Sequence, residues 1–296
     1  MSKTLKNALL VFAGGWCYGV MVPLVHVAHS MGYDTLQIMV AQYLVGALAL
    51  GLAVALFSRR RVPLGQALRL AGVGAVAAGT SFGYYHALAL LSSAAALTLL
   101  FQFVWMGVLL QAVLERKPPD RMTALSMVLV LGGTVFAAGL LEWNESPLDP
   151  LGIFYGLLSA VCYTAFLHLS SRVATDLPTV NRTFFTSTGS LVASLCIAPA
   201  FISTAVPSGD FLWFTVPLAL IGIVLPVFLI QKGSTEIPGS VTTIMASSEL
   251  PSGIIMGALF VNDLVTLPEV LGVVVILGGI VLSQLDELRG RRAASP

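Results

Sequence analysis

The chain has 296 residues, of which 57% are hydrophobic and only 10% charged, with a formal net charge of +1 and a mean hydropathy of +0.91. A soluble globular protein carries about 25% charged residues, so this composition excludes a water-soluble enzyme or binding domain, and the near-neutral balance offers no basic surface for nucleic acid. Ten spans of ~20 residues would occupy ~200 positions and leave only short connections, so the chain reads as an all-α integral membrane protein with ten transmembrane helices.

In chain order, apolar runs lie at roughly 7–28, 34–57, 67–90, 93–114, 121–140, 150–171, 181–203, 211–231, 238–260 and 268–285. The weakest boundary is Leu91-Ser92-Ser93, between the third and fourth. The first run continues past Pro23 without a small-residue cleavage site and reads as a retained span. Cys17, Cys162 and Cys196 all fall inside runs, where they read as small apolar fillers rather than disulfide partners or metal ligands.

With the N-terminus inside, all 15 Lys and Arg residues fall on the inner side: Lys3 and Lys6, Arg59 to Arg61 and Arg69, Arg116 to Arg121, Arg172 and Arg182, Lys232, and Arg289 to Arg292. The outer loops carry acids instead: Asp34, Glu142, Glu145, Asp149, Asp210, Asp263 and Glu269. This is the positive-inside pattern with both termini cytoplasmic, as in a cytoplasmic (inner) membrane of the bacterial type. Of the 14 acids, only Glu249 is placed deep within a span. An ionisable group there costs several kcal/mol and marks a functional site by default.

Each half offers candidates at or near mid-depth. Span 1 carries Trp16 and Tyr18, with Pro23 removing the partner of the Gly19 carbonyl. Span 3 carries Ser81, Tyr84, Tyr85 and His86 in its outer third, where aromatics also form interfacial belts. His86 titrates near neutral pH and is a candidate partner of Glu249 or a sensor of the outer side. Span 4 presents Thr98, Gln102 and Trp105 on one face, and a buried amide and indole N–H both need partners. Span 6 presents Tyr155, Ser159 and Tyr163. In span 9, Ser247-Ser248-Glu249-Leu250-Pro251-Ser252-Gly253 puts a carboxyl among three serines, and Pro251 is expected to free the Ser247 carbonyl. Thr242, Met245, Glu249, Ser252, Gly253 and Met256 share one face, and Gly253 with Gly257 invites a close neighbour.

Other signals carry less. His26-x-x-His29 has metal-like spacing without a nearby acid or cysteine, Gly72-x-Gly74 follows no strand, and Arg59-Arg60-Arg61 reads as a topology anchor. No metal, cofactor or nucleotide motif is expected.

The chain echoes itself at a constant offset. Trp16-Cys17-Tyr18-Gly19 matches Val161-Cys162-Tyr163-Thr164 at 145 positions, and Leu131-Gly132-Gly133-Thr134 matches Leu277-Gly278-Gly279-Ile280 at 146. Five spans per copy is odd, so residues 1–145 and 146–296 would enter the membrane in opposite senses, with a site at the midplane between them.

These marks resemble the drug/metabolite transporter superfamily, specifically ten-span EamA-type carriers. The likeness rests on Trp16 to Gly19, Ala87-Leu88, the small-residue entry Ser92 to Ala96, Leu114-Glu115-Arg116 and the Gly-Gly pairs of spans 5 and 10. Glu249-Leu250-Pro251 departs from the family's Glu-Pro by one inserted residue, Asp263 replaces a Glu, and Phe103-Val104-Trp105 stands where a Pro is usual. The resemblance implies two inverted five-helix repeats around a central cavity, alternating access and, in many members, export of metabolites.

The expected site is therefore Glu249, Ser248, Ser252, Gln102, Trp105, Thr98, Trp16, Tyr85, His86 and Tyr163 for a small-molecule substrate, with Glu249 and His86 as proton-coupling candidates. An amino acid or amine suits a carboxyl among aromatics. An importer of a vitamin or nucleoside-like metabolite is the alternative, and an intramembrane enzyme or a non-transporting scaffold the readings of a different class. An enzyme would need a second positioned group near Glu249, and the sequence shows none. Partners are the lipid bilayer and, beyond a monomer, a second copy.

Overall fold

The computed structural model describes residues 3–58, 60–91, 93–137, 149–197, 209–260 and 266–294. They form α1 (Lys3–Ser30), α2 (Thr35–Phe57), α3 (Leu64–Leu90), α4 (Ser93–Leu100), α5 (Phe103–Glu115), α6 (Arg121–Ala137), α7 (Pro150–Arg172), α8 (Thr179–Ile197), α9 (Gly209–Ala219), a π-helical turn (Leu220–Val224), α10 (Leu225–Gly233), a 3₁₀ turn (Ser234–Glu236), α11 (Gly239–Ala246), α12 (Glu249–Phe260) and α13 (Leu267–Ala294). No β-strand occurs among the described residues. Glu142, Glu145, Asp263 and Arg59, and the side chains of His26, His29 and Asp210, lie outside them.

Acids in the connections set several helix starts, because the first N–H groups of a helix lack intrahelical acceptors. Asp34 accepts from Leu36 N at 3.1 Å while Gln37 Oε1 accepts from Asp34 N at 3.0 Å, a reciprocal cap for α2. Asp149 accepts from Leu151 N and Gly152 N ahead of Pro150, which starts α7. Asp120 accepts from Thr123 N at 2.8 Å at the head of α6.

The outer surface is the reverse of a soluble protein's, while the interior combines a hydrophobic core with buried polar groups. Leu48, Leu52 and Phe57 are 66%, 62% and 81% exposed, whereas Ser126, Ser159, Thr183, Ser194 and Gln231 are buried. That much contiguous apolar surface is stable only against lipid. This is a multi-pass membrane protein. Six stretches are long and apolar enough to cross a bilayer: Lys3–Val25, Leu36–Phe57, Ala95–Glu115, Pro150–Arg172, Phe214–Glu236 and Gly239–Phe260. Arg121–Ala137 and Leu267–Ser283 are apolar but shorter. α3 and α8 are neither; they pack on each other with α8 turning Thr183, Thr186, Ser187, Ser190 and Ser194 inward.

Three expected spans are not continuous helices. The fourth breaks at Phe101–Gln102, the eighth passes through the π turn, and the ninth breaks at Ser247–Ser248. Pro217 and Pro226 flank the π turn and explain it, since each lacks an N–H. The two breaks lie 146 positions apart. In the packing, α1 lies against α10, α11 and α12, while α7 lies against α3, α4 and α5; α2 packs on α8, and α6 on α13.

Candidate functional site

Glu249 is the first residue of α12, directly after the break. Across the break, Ser247 N donates to Ile244 O at 3.3 Å and Ser248 N to Met245 O at 3.2 Å, three residues back rather than four. The Ser247 carbonyl that Pro251 was expected to free is instead taken by Leu250 N at 3.4 Å. The tighter turn moves the donor by one residue, so the carbonyl is not an open ligand.

The break is held by α1. Ser248 Oγ donates to Phe12 O and Ser252 Oγ to Trp16 O, both at 2.7 Å and both 236 positions apart, so successive helical turns engage in one register. Gly15 and Gly19 make this approach feasible. A Cβ on Gly15 would sit 2.5 Å from Ala246 O and from Ser248 Oγ, and one on Gly19 would sit 2.5 Å from Gly253 N. The close approach expected at Gly253 thus depends on Gly19 of the partner helix. Both serines keep lone pairs, but their protons are committed to α1.

The Glu249 carboxyl is half-buried between buried neighbours. Tyr163, only 5% exposed, donates its hydroxyl to Oε2 at 3.3 Å. Tyr18 and Tyr84 lie within electrostatic reach of the same carboxyl. The Tyr163 ring is wedged edge-on against Phe103 at 4.7 Å and Tyr18 at 6.4 Å, and parallel to Phe166 at 6.2 Å. Among the described residues no Lys, Arg or His pairs with Glu249. The site is a carboxyl in an aromatic wall with one phenol as its donor.

The other expected residues divide. Gln102 sits in the break of the fourth span, where Nε2 donates to Thr98 O at 3.0 Å and Oε1 accepts from Trp105 Nε1 at 2.8 Å. Gln102, Trp105 and Thr98 therefore brace their own break and retain one amide N–H. Trp16 stacks on Phe12 at 5.6 Å and gives its carbonyl to Ser252. Tyr84 packs on the core that contains Tyr163 and Leu250, whereas Tyr85 turns towards Met39, Val40 and Tyr43 of α2. His86 lies between Phe82 at 4.1 Å and Tyr155 at 4.9 Å and holds Phe82 O through Nδ1 at 2.9 Å. None of these contacts reaches Glu249.

Sequence reasoning counted Arg182 only as an inner-side basic residue at the start of the seventh run and did not single it out. Arg182 is only 2% exposed. Nη1 donates to Gln231 O at 3.1 Å, and Nη2 donates to Ser170 O. Gln231 itself accepts from Thr183 Oγ1 at 3.1 Å and donates to Thr186 Oγ1 at 2.8 Å. The signal was present: Arg182, Thr183, Thr186, Ser187, Ser190 and Ser194 fall on one face at helical spacing.

A bundle with an apolar outer surface, polar groups buried within its core and a carboxyl at a helix break defines a membrane protein with a candidate intramembrane polar site. Residues 150–285 match the EamA-like transporter family. The chain is 27% identical over 186 residues to the uncharacterized inner membrane transporter YicL of Salmonella typhimurium (strain LT2), a match that covers 62% of this chain and 61% of that protein's length. A solved crystal structure shares the fold, with a TM-score of 0.78 at 17% identity over 94% of this chain and 98% of the other.

Proposed function

We propose that the chain is a secondary carrier of the inner membrane that exports a small amphipathic metabolite bearing an ammonium, such as an amino acid or amine, by alternating access. The observation that carries this reading is Glu249: a half-buried carboxyl at a helix break, which accepts from Tyr163 in an aromatic cluster and is paired with no described basic side chain. A cation between a carboxyl and aromatic faces gains charge pairing and cation–π attraction without an added counter-charge. When no substrate is bound, the same carboxyl can hold a proton, which makes Glu249 the proton-coupling candidate. His86, whose contacts lie elsewhere, would act only at the outer mouth.

Ten crossings in two inverted five-helix repeats, 1–145 and 146–296, with both termini cytoplasmic, account for the packing. Under that relation α1 corresponds to α7, α3 to α9–α10, and the fourth span to the ninth. The contacts of α1 with α10 and α11–α12 then repeat those of α7 with α3 and α4–α5, and α2–α8 and α6–α13 are self-matched pairs. The 146-residue separation of the two breaks follows the same relation. A site between two broken helices at mid-depth is where an inverted-repeat carrier binds its cargo.

The test is a thermal-shift screen of the purified protein at two pH values with amino acids, polyamines, nucleosides and vitamins, on wild type and Glu249→Gln. An amine that stabilises wild type alone supports the reading. A neutral nucleoside or vitamin that stabilises both forms equally would replace it with the importer alternative.

A further inference from the structure

Lys3 meets Glu236, Arg60 meets Asp176, Ser58 meets Asn181, and Arg182 beside Asn181 reaches Gln231, so these residues come together at one end of the bundle, called the basic end for Lys3 and Arg60. There, two carboxylates are gripped in the same way. Glu236 lies 2.8 Å from Lys3 Nζ and accepts from Asn7 Nδ2 at 2.7 Å. Asp176 lies 3.6 Å from Arg60 Nη2 and accepts from Gln66 Nε2 at 3.2 Å, while Arg60 Nη1 also donates to the Asp176 backbone carbonyl at 3.0 Å. In each case an acid of residues 146–296 is held by one cation and one amide of residues 1–145. Ser58 Oγ adds a further polar link between the halves, donating to Asn181 Oδ1 at 2.5 Å.

The opposite end differs. Among the described residues, Asp34, Asp149 and Glu269 bond within their own helix starts, and Tyr43 and Ser81 bond within residues 1–145. Contact between the two halves there includes the stacking of Phe82 and His86 on Tyr155 and the packing of Leu90 and Leu91 against Gly152. Among the described residues, both ion pairs that join the two halves lie at the basic end.

We propose that Glu236 and Asp176 are the two bolts of a salt-sensitive gate that shuts the basic end of the path to Glu249. The proposal rests on the carrier reading above and names how access to that site is regulated. The side chains of the two pairs are 44% to 78% exposed. Such pairs are weak and screened by salt, which suits a fastening that must open in every cycle.

The test uses the full chain in vesicles with Cys17, Cys162 and Cys196 replaced by alanine and Tyr84→Cys as reporter. The rate of labelling by a membrane-impermeant charged thiol reagent is read separately from each side. Expected are slow labelling from the basic end in this background, an increase of roughly tenfold in the combined Glu236→Gln, Asp176→Asn variant, and a similar trend on raising salt to about 0.5 M. The paired charge swaps Lys3→Glu with Glu236→Lys and Arg60→Asp with Asp176→Arg should return the slow rate. Labelling that is unchanged by neutralisation, or fast in the swapped variant, overturns the gate while leaving the carrier reading intact. A reporter that reacts from neither side under any condition sinks the carrier reading and the gate with it.

Discussion

Arg182 and Glu249 are both ionisable groups inside an apolar bundle, and the protein treats them in opposite ways. Arg182 is 2% exposed, with both terminal nitrogens on main-chain carbonyls from α7 and α10 and a glutamine–threonine network beside it. Glu249 is half-buried and receives a single long hydrogen bond, from Tyr163 at 3.3 Å. A buried charge whose two terminal nitrogens both hold main-chain carbonyls is a structural tie between helices, even though its Nε has no partner. One that is positioned by its backbone but incompletely satisfied keeps capacity for a partner that comes and goes. The difference separates scaffold from site in a way that burial or charge alone does not.

The largest effects should come from the tie and from the helix contact that positions the site. Arg182→Met removes donors from Ser170 O and Gln231 O and should cost about 2–4 kcal/mol, read as thermal unfolding in detergent. Arg182→Lys should recover only part, because an ammonium cannot fork to two carbonyls as the planar guanidinium does. Gly19→Val places a side chain against Gly253 N and should cost a comparable amount while abolishing ligand shifts. Ser252→Ala should cost about 1 kcal/mol, since the Trp16 carbonyl loses its side-chain donor. Glu249→Gln should leave stability within about 1 kcal/mol of wild type, because a neutral amide still accepts from Tyr163 and burying it carries no charge penalty. Equal destabilisation by Arg182→Met and Glu249→Gln would erase the contrast and make both residues structural.

Much of this was legible in the sequence for physical reasons. Apolar runs separated by short charged links locate the helices, Asp34 and Asp149 sit where helix starts need acceptors, and Glu249 stands out because a deep acid is costly. The break at Phe101–Gln102 was not legible: it carries no proline or glycine and depends on Gln102 bonding to Thr98 O and Trp105. Nor was the choice between Tyr84 and Tyr85. Adjacent helical residues point about 100° apart, and which one meets the core depends on how α3 is rotated against α7 and α8. Arg182 was passed over because a single basic residue at the inner edge of a span was read only as part of the positive-inside pattern. Only the polar stripe that follows it shows that this face turns inward.

The smallest expected effect is the most discriminating. Tyr163→Phe keeps the ring among Phe103, Tyr18 and Phe166 and removes only the hydroxyl, so the loss of stability should stay below about 1 kcal/mol. The phenol is the donor that orients the Glu249 carboxyl, and without it the carboxyl samples more rotamers before binding a cation. An amine that stabilises wild type should therefore stabilise Tyr163→Phe more weakly, by a few-fold in apparent affinity, and Glu249→Gln not at all. The double variant should behave as Glu249→Gln, because an orienting group has nothing left to orient. If Tyr163→Phe instead weakens binding in the Glu249→Gln background as well, the hydroxyl meets the substrate directly and the two side chains act as independent contacts.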